Sequence, residues 1–204
     1  MKYKFVVSGS ADVGSRDAKG ENCDVCSPDV LEKSKEVGRE IVRQGGILIT
    51  GATTGAPFAA AEGAKEEGGI SIGISPAATY AEHIRSYRLP VDNFDFIIYT
   101  GFNYSGRNLI LTKAADAVII ICGGFGTLNE FTIALEDEKP IGVLMGTGGA
   151  TGEIQRLLEN IKDPHRHGSG KVIFSNDPKE LIAKLKVLIE KEHSNPGEVE
   201  HIGE

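Results

Sequence analysis

Seven short apolar runs punctuate the chain, at residues 3–8, 47–50, 70–74, 95–99, 116–122, 141–144 and 171–174. Most are rich in Val, Ile or Phe, and Gly, Ser, Thr or Pro follows each closely. Runs of this length suit strands buried on both faces of a parallel sheet. Between them lie segments with apolar residues at helical spacing. Val30, Leu31, Val37, Ile41 and Val42 define one helix, opened by Ser27-Pro28 and closed by Gly45-Gly46. Further helices are predicted over 58–68 (Ala-rich), from about Gly106 onward, and over 127–135, 153–161 and 178–191. Residues 77–93 read as a solvated helix and loop. Strands alternating with helices imply right-handed crossovers. The predicted fold is α/β: a doubly wound, mostly parallel, Rossmann-like sheet of about seven strands with helices on both faces. With no repeat or linker, residues 1–192 are expected to form one domain, and the polar residues 193–204 a disordered tail.

The stretch richest in chemistry follows the strand at 116–122. Gly123-Gly124-Phe125-Gly126 is a turn, and Thr127 opens the next helix. Such a turn exposes backbone N–H groups at a helix N-terminus, where the dipole adds positive potential, so it suits a phosphate or carboxylate. Glycine lets the backbone turn sharply and approach a ligand closely. Arg107 precedes the strand on a helix, and Glu130 falls in the first turn of the following helix. A cation and a carboxylate beside an anion-binding turn are candidates to bind a nucleotide and act on it. Plainer roles exist for both. Thr127 and Glu130 have capping-box spacing, and Arg107 alone can be a solvated helix residue. In open α/β sheets ligands lie beyond the C-terminal strand ends, where strand order reverses. That makes the turn at Ser8, Gly9 and Ser10 a candidate wall. The loop carrying Gly51 and Gly55, which leads into the Ala-rich helix, is a second candidate anion site.

This stretch resembles the LOG ("lonely guy") proteins, long mislabelled lysine decarboxylases. They lie in a wider group of Rossmann-like nucleotide-binding proteins that includes the molybdenum-cofactor carriers and DprA. The family pattern is an Arg, usually followed by Lys, on a helix, then an apolar strand, then Pro-Gly-Gly-x-Gly-Thr-x-x-Glu. Arg107, Gly123, Gly124, Gly126, Thr127 and Glu130 match it, whereas Asn108 stands for the Lys and Cys122 for the Pro. The resemblance implies a nucleoside 5′-monophosphate phosphoribohydrolase, releasing base and ribose 5-phosphate. Gly124, Gly126 and Thr127 would hold the 5′-phosphate, and Glu130 would contact the ribose and stabilise oxocarbenium charge. Arg107 would orient the substrate and favour the departing base. No cofactor and no metal are implied, and a homodimer through the helices around Arg107 is expected. The alternative is a non-catalytic binding or carrier protein for a nucleotide or a phosphorylated cofactor such as the molybdenum cofactor. Asn108 and the altered loop at 51–57 favour that alternative, and retention of Arg107 with Glu130 favours the enzyme.

Composition narrows the partners. A net charge of -7 argues against non-specific nucleic-acid binding. No apolar run is long enough to span a membrane and no signal peptide is evident, so a cytoplasmic location is expected. Three cysteines, an odd number, argue against a disulfide framework. Cys23 and Cys26 form a Cys-x-x-Cys, open to a metal or redox role or to none. Cys122 reads as a small buried hydrophobe. His83 has no visible partner, His165 and His167 lie in a loop, and Lys113 lacks the surroundings of a pyridoxal-phosphate lysine.

Overall fold

A computed structural model describes residues 2–14, 26–161 and 171–194. Cys23, His165, His167 and the tail from residue 195 lie outside the described residues.

Among the described residues seven strands form one sheet: β1 (Lys4–Gly9), β2 (Ile47–Thr50), β3 (Ser71–Ser75), β4 (Phe96–Tyr99), β5 (Ala117–Ile121), β6 (Ile141–Leu144) and β7 (Val172–Ser175). Their order is β4-β3-β2-β1-β5-β6-β7, and every pairing is parallel. All five residues of β5 are buried, as expected of a central strand covered on both faces. The period-two alternation of a strand sorts the core into two layers. Phe5, Val7, Ile119 and Ile121 join Ala56, Ala60, Val37, Ile41, Leu181 and Leu185 on one face. Val6, Val118 and Ile120 join Leu111, Phe131 and Ile154 on the other. The first layer lies under α1 (Val30–Arg43), α2 (Gly55–Glu66) and α7 (Pro178–Ser194). The second lies under α4 (Asn103–Lys113), α5 (Phe125–Glu136) and α6 (Ala150–Asn160), while α3 (Tyr80–Arg85) is a single short helix after β3. Among the described residues no helix is long and apolar enough to cross a membrane.

Strand order reverses between β1 and β5, whose Phe5 pairs with Ala117 and Gly9 with Ile121. Connections leave these two strands toward opposite faces, which opens a crevice at their C-terminal ends.

Helix ends depart from the sequence expectation. α1 starts at Val30 with Asp29 as N-cap, since Ser27-Pro28 is held outside the helix where Ser27 N donates to Thr147 O at 2.9 Å. α2 begins at Gly55 rather than 58, and Gly55 itself takes a positive φ of 69°. α5 begins at Phe125 with Gly124 as N-cap, which puts Thr127 inside the helix and Glu130 in its second turn. α7 continues to Ser194, past the predicted helix end at 191. Its last turn packs the His193 ring against Tyr3, with centroids 5.3 Å apart.

Two cysteine and histidine expectations also change. Cys26 and Cys122 form a disulfide across 96 residues. An odd cysteine count leaves one thiol over; it does not forbid a bond between the other two. A bridge from Cys26 to Gly148 brings the two cysteines together. His83 is fully buried: its Nδ1 faces Ser75 Oγ at 2.8 Å and its Nε2 faces Pro90 O at 2.9 Å. It ties the 86–90 loop to the end of β3.

Candidate functional site

A cleft of about 490 Å³ lies at the strand reversal. Its walls come from the β1 turn, the β2 turn with the first turn of α2, the middle of α4 and the N-terminus of α5. Of the residues singled out in the sequence, Gly9, Ser10, Gly51, Arg107, Gly124, Gly126, Thr127 and Glu130 line it. Gly55 and Gly123 do not. A Cβ at Gly55 would strike the Ser10 and Ala11 carbonyls, so Gly55 lets the β1 loop settle on α2. Gly123 has φ 85°, and a Cβ there would overlap the Thr127 side chain. Both glycines shape the walls from behind.

The floor is polar and buried. Glu130 is 6% exposed, and its Oε2 accepts a hydrogen bond from Ser8 Oγ. Arg107, 7% exposed, brings Nη1 to 3.8 Å from Glu130 Oε1. The Asn108 amide nitrogen, turned toward the acceptors around it, donates to Glu130 Oε1 at 3.0 Å and to Tyr104 O at 2.9 Å. The Thr-x-x-Glu spacing therefore does not make a capping box here: Gly124 is the N-cap, no side chain caps the helix, and Glu130 turns inward to β1 and α4. Arg107 is not a solvated helix residue either. Its guanidinium lies against Gly51, where any Cβ would overlap it, so Gly51 seats the arginine. The Arg107 Cζ also lies 5.9 Å from the centroid of the Tyr104 ring. Among the described residues its Nε is buried with no hydrogen-bond partner.

Burial sets the electrostatics. It raises the Glu130 carboxyl above its ordinary value, against the opposing effects of the Arg107 charge and the Ser8 hydroxyl. It lowers the Arg107 guanidinium, against the opposing effects of Glu130 and Tyr104. Each charge is held in a medium it disfavours, with the other as partial compensation. At 3.8 Å the two do not make a tight hydrogen-bonded pair.

At the far wall, the first turn of α5 opens toward the cleft with Gly124 and Gly126, where a Cβ would meet nothing within 4 Å. That space can admit an anion against the helix N-terminus. Cys122, with φ 51°, precedes the turn. It is held by its disulfide and by its N–H donating to Thr147 Oγ1 at 3.0 Å. Ala150 N donates to Gly123 O at 2.8 Å. The turn is thus fixed from the side away from the cleft.

Sequence reasoning placed Ser8 in a candidate wall and marked Asn108 as a departure from the family pattern, but it missed what the Ser8 hydroxyl and the Asn108 amide touch, and it missed the Tyr104 ring. The first two touch Glu130, but across 122 and 22 residues of sequence, so no local spacing marks them. Among the described residues no group of three or more His, Cys, Asp or Glu is placed to hold a metal ion.

Known proteins resemble this chain in sequence and fold. An uncharacterized protein of Archaeoglobus fulgidus is 34% identical over 119 residues, covering 58% of this chain and 73% of that one. The molybdenum cofactor binding protein of Rippkaea orientalis superposes with a TM-score of 0.68 at 27% identity, covering 93% of this chain and 98% of its own. The molybdenum cofactor carrier protein of Chlamydomonas reinhardtii gives a TM-score of 0.69 at 26% identity, covering 93% and 99%. Residues 13–182 match the model of the SLOG cluster4 family, and the chain belongs to that family.

Proposed function

We propose that the cleft binds a nucleotide or nucleotide-like phosphorylated cofactor, its phosphate at the N-terminus of α5. One observation carries this reading: an open, glycine-lined helix N-terminus and a buried Arg107–Glu130 pair share one cleft at the strand reversal. Gly124, Gly126 and Thr127 present the first turn of α5 to the phosphate, while Gly9, Ser10 and Gly51 shape the opposite side.

The catalytic form of the reading is N-glycosidic hydrolysis of a nucleoside 5′-monophosphate. Water adds to C1′ as the bond to the base breaks, giving base and ribose 5-phosphate. Positive charge grows on the sugar, and the Glu130 carboxylate offsets it from a water-poor floor. Arg107 orients the base and favours its departure.

The non-catalytic form is a carrier or sensor, and one observation favours it. With the Asn108 amide assigned toward it, both Glu130 oxygens accept hydrogen bonds, from Ser8 and Asn108, so the carboxylate is less free to engage a sugar. The names of the two molybdenum-cofactor relatives point the same way. We further propose a cytoplasmic homodimer. The exposed apolar side chains Phe96 and Ile98 on β4, Phe102 just before α4 and Leu109 on α4 support the dimer, and gel filtration tests it.

The deciding experiment incubates the purified chain with AMP and follows base release by chromatography, with Glu130→Gln in parallel. Base and ribose 5-phosphate, absent with the variant, support the hydrolase. AMP bound and recovered intact supports the carrier. Neither binding nor release of AMP or another nucleoside monophosphate removes both.

A further inference from the structure

Tyr104 and Arg107 form an arrangement that the phosphate reading does not use. Tyr104 lines the cleft and is 49% exposed, although it sits on a helix whose neighbouring Arg107 and Asn108 are buried. Its ring is not loose. Tyr87 packs edge-on against it, with centroids 5.5 Å apart and planes at 77°. The Tyr87 hydroxyl donates to Asn103 Oδ1 at 2.6 Å, anchoring that contact to the first residue of α4. The Asn108 amide holds the Tyr104 carbonyl. An aromatic side chain braced in this way at a cleft wall loses little freedom when a flat ring stacks on it.

Arg107 lies beside that ring and has unmet donor capacity. Its side chain is 8% exposed, and among the described residues its Nε is buried without a partner and its nearest anion is 3.8 Å away. Among the described residues it donates no hydrogen bond. A guanidinium presents donors in a rigid planar fork, which matches two adjacent acceptors better than one. A ring carbonyl next to a ring nitrogen, as on the oxo edge of a 6-oxopurine, provides such a pair. The amino-bearing edge of adenine replaces one acceptor with a donor and is mismatched.

Resting on the phosphate-site reading above, we infer that the ligand carries an oxo-substituted fused heterocycle. That ring stacks on Tyr104 and its carbonyl edge is read by Arg107. Tyr104 is then the specificity-determining residue for the ring, while the phosphate engages α5 independently.

Calorimetric titration of the full chain with GMP, AMP and ribose 5-phosphate tests this, using wild type, Tyr104→Ala and Tyr104→Phe. GMP should bind at least about fivefold tighter than AMP, the low end of what one bidentate contact discriminates. Tyr104→Ala should weaken GMP by about tenfold, the scale of one lost base stack. The same change should leave ribose 5-phosphate binding unaltered, and Tyr104→Phe should restore GMP binding. AMP binding as tightly as GMP overturns the edge assignment. Equal weakening of GMP and ribose 5-phosphate in Tyr104→Ala overturns the stacking. If ribose 5-phosphate binds and neither nucleotide binds better, the ring proposal falls while the phosphate site stands. If none of the three binds wild type, the phosphate reading itself falls and this inference with it. Should Tyr104→Ala fail to fold, the wild-type ranking of the three ligands and Tyr104→Phe still decide.

Discussion

The Cys26–Cys122 bond makes a quantitative prediction. It links residues 96 apart, joining the segment before α1 to the last residue before the α5 turn. Cross-linking a loop of this length removes denatured-state entropy worth about 4.7 kcal/mol at 25 °C in the chain-entropy model. For a chain of this size each kcal/mol moves the melting midpoint by about 2–4 °C, so loss of the bond should lower it by roughly 10–20 °C. The perturbations are reduction by a dithiol and, separately, Cys26→Ser. Cys26 is the better site for substitution because it is only partly buried, whereas a serine at the fully buried Cys122 adds a desolvation cost of its own.

The assay is thermal unfolding with and without reductant, together with thiol titration of the denatured chain. The chain holds three cysteines, so one reactive thiol is expected before reduction and three after. Unfolding should shift as stated for reduced wild type, and Cys26→Ser should lie near that value and no longer respond to reductant. The backbone bonds from Cys122 to Thr147 and from Ala150 to Gly123 do not depend on the sulfurs. Affinity for ribose 5-phosphate should therefore survive reduction at a temperature where the protein is folded. Three thiols before reduction would refute the bond. A verified bond whose reduction leaves the melting point unchanged would refute the entropy argument.

Gly51→Ala should place a methyl in the seat of the Arg107 guanidinium. Because a side-chain tip can yield, stability should change by less than about 1 kcal/mol, while nucleotide affinity drops about tenfold, the equivalent of one charge-assisted contact. His83→Ala removes a buried ring and its two hydrogen-bonded contacts, to Ser75 and Pro90. It should cost roughly 2–4 kcal/mol by chemical denaturation, with ligand binding retained. The pH dependence follows from Glu130, whose folded pKa is raised by burial above the ordinary 4.5. A carboxyl raised in the folded state favours folding when protonated, so its contribution is present at low pH and is lost as pH rises from about 4.5 through the folded pKa. Glu130→Gln should abolish that slope and gain stability relative to wild type as pH approaches 7. Parallel stability–pH curves for the two proteins would contradict it.

Much of the fold was legible because its signals are local. β5 is an unbroken apolar run, and the glycines after it mark a strand-to-helix turn within a few residues. Arg107 and Glu130 could be picked out on either side of that run for the same reason. What local spacing could not supply was the direction in which those residues point. The Thr127–Glu130 spacing suits a cap, yet Gly124 starts the helix one turn early, and Glu130 faces the core. Asn108 read only as standing in for the family's Lys, and it is 6% exposed against Glu130.

The missed contacts share one cause. Ser8 meets Glu130, Gly51 seats Arg107, and Cys26 joins Cys122, each across a long stretch of sequence. Two of them depend directly on β1 lying between β2 and β5. This order brings the end of β1 under α5 and the end of β2 under α4. The disulfide depends on β6 lying next to β5, since the loop after β6 carries Thr147 and Gly148, on which Cys26 rests. Strand order is a global choice fixed by packing two helical layers on one sheet, and no window of ten or twenty residues contains it. Once the order is granted, the polar residue ending β1, the glycine ending β2 and the cysteine ending β5 fall around one turn. The charges of Arg107 and Glu130 can stay buried there because residues at the ends of β1 and β2 pack against them. The site is thus a property of the strand reversal, and substitutions at Ser8 or Gly51 should perturb it as directly as substitutions in the glycine turn.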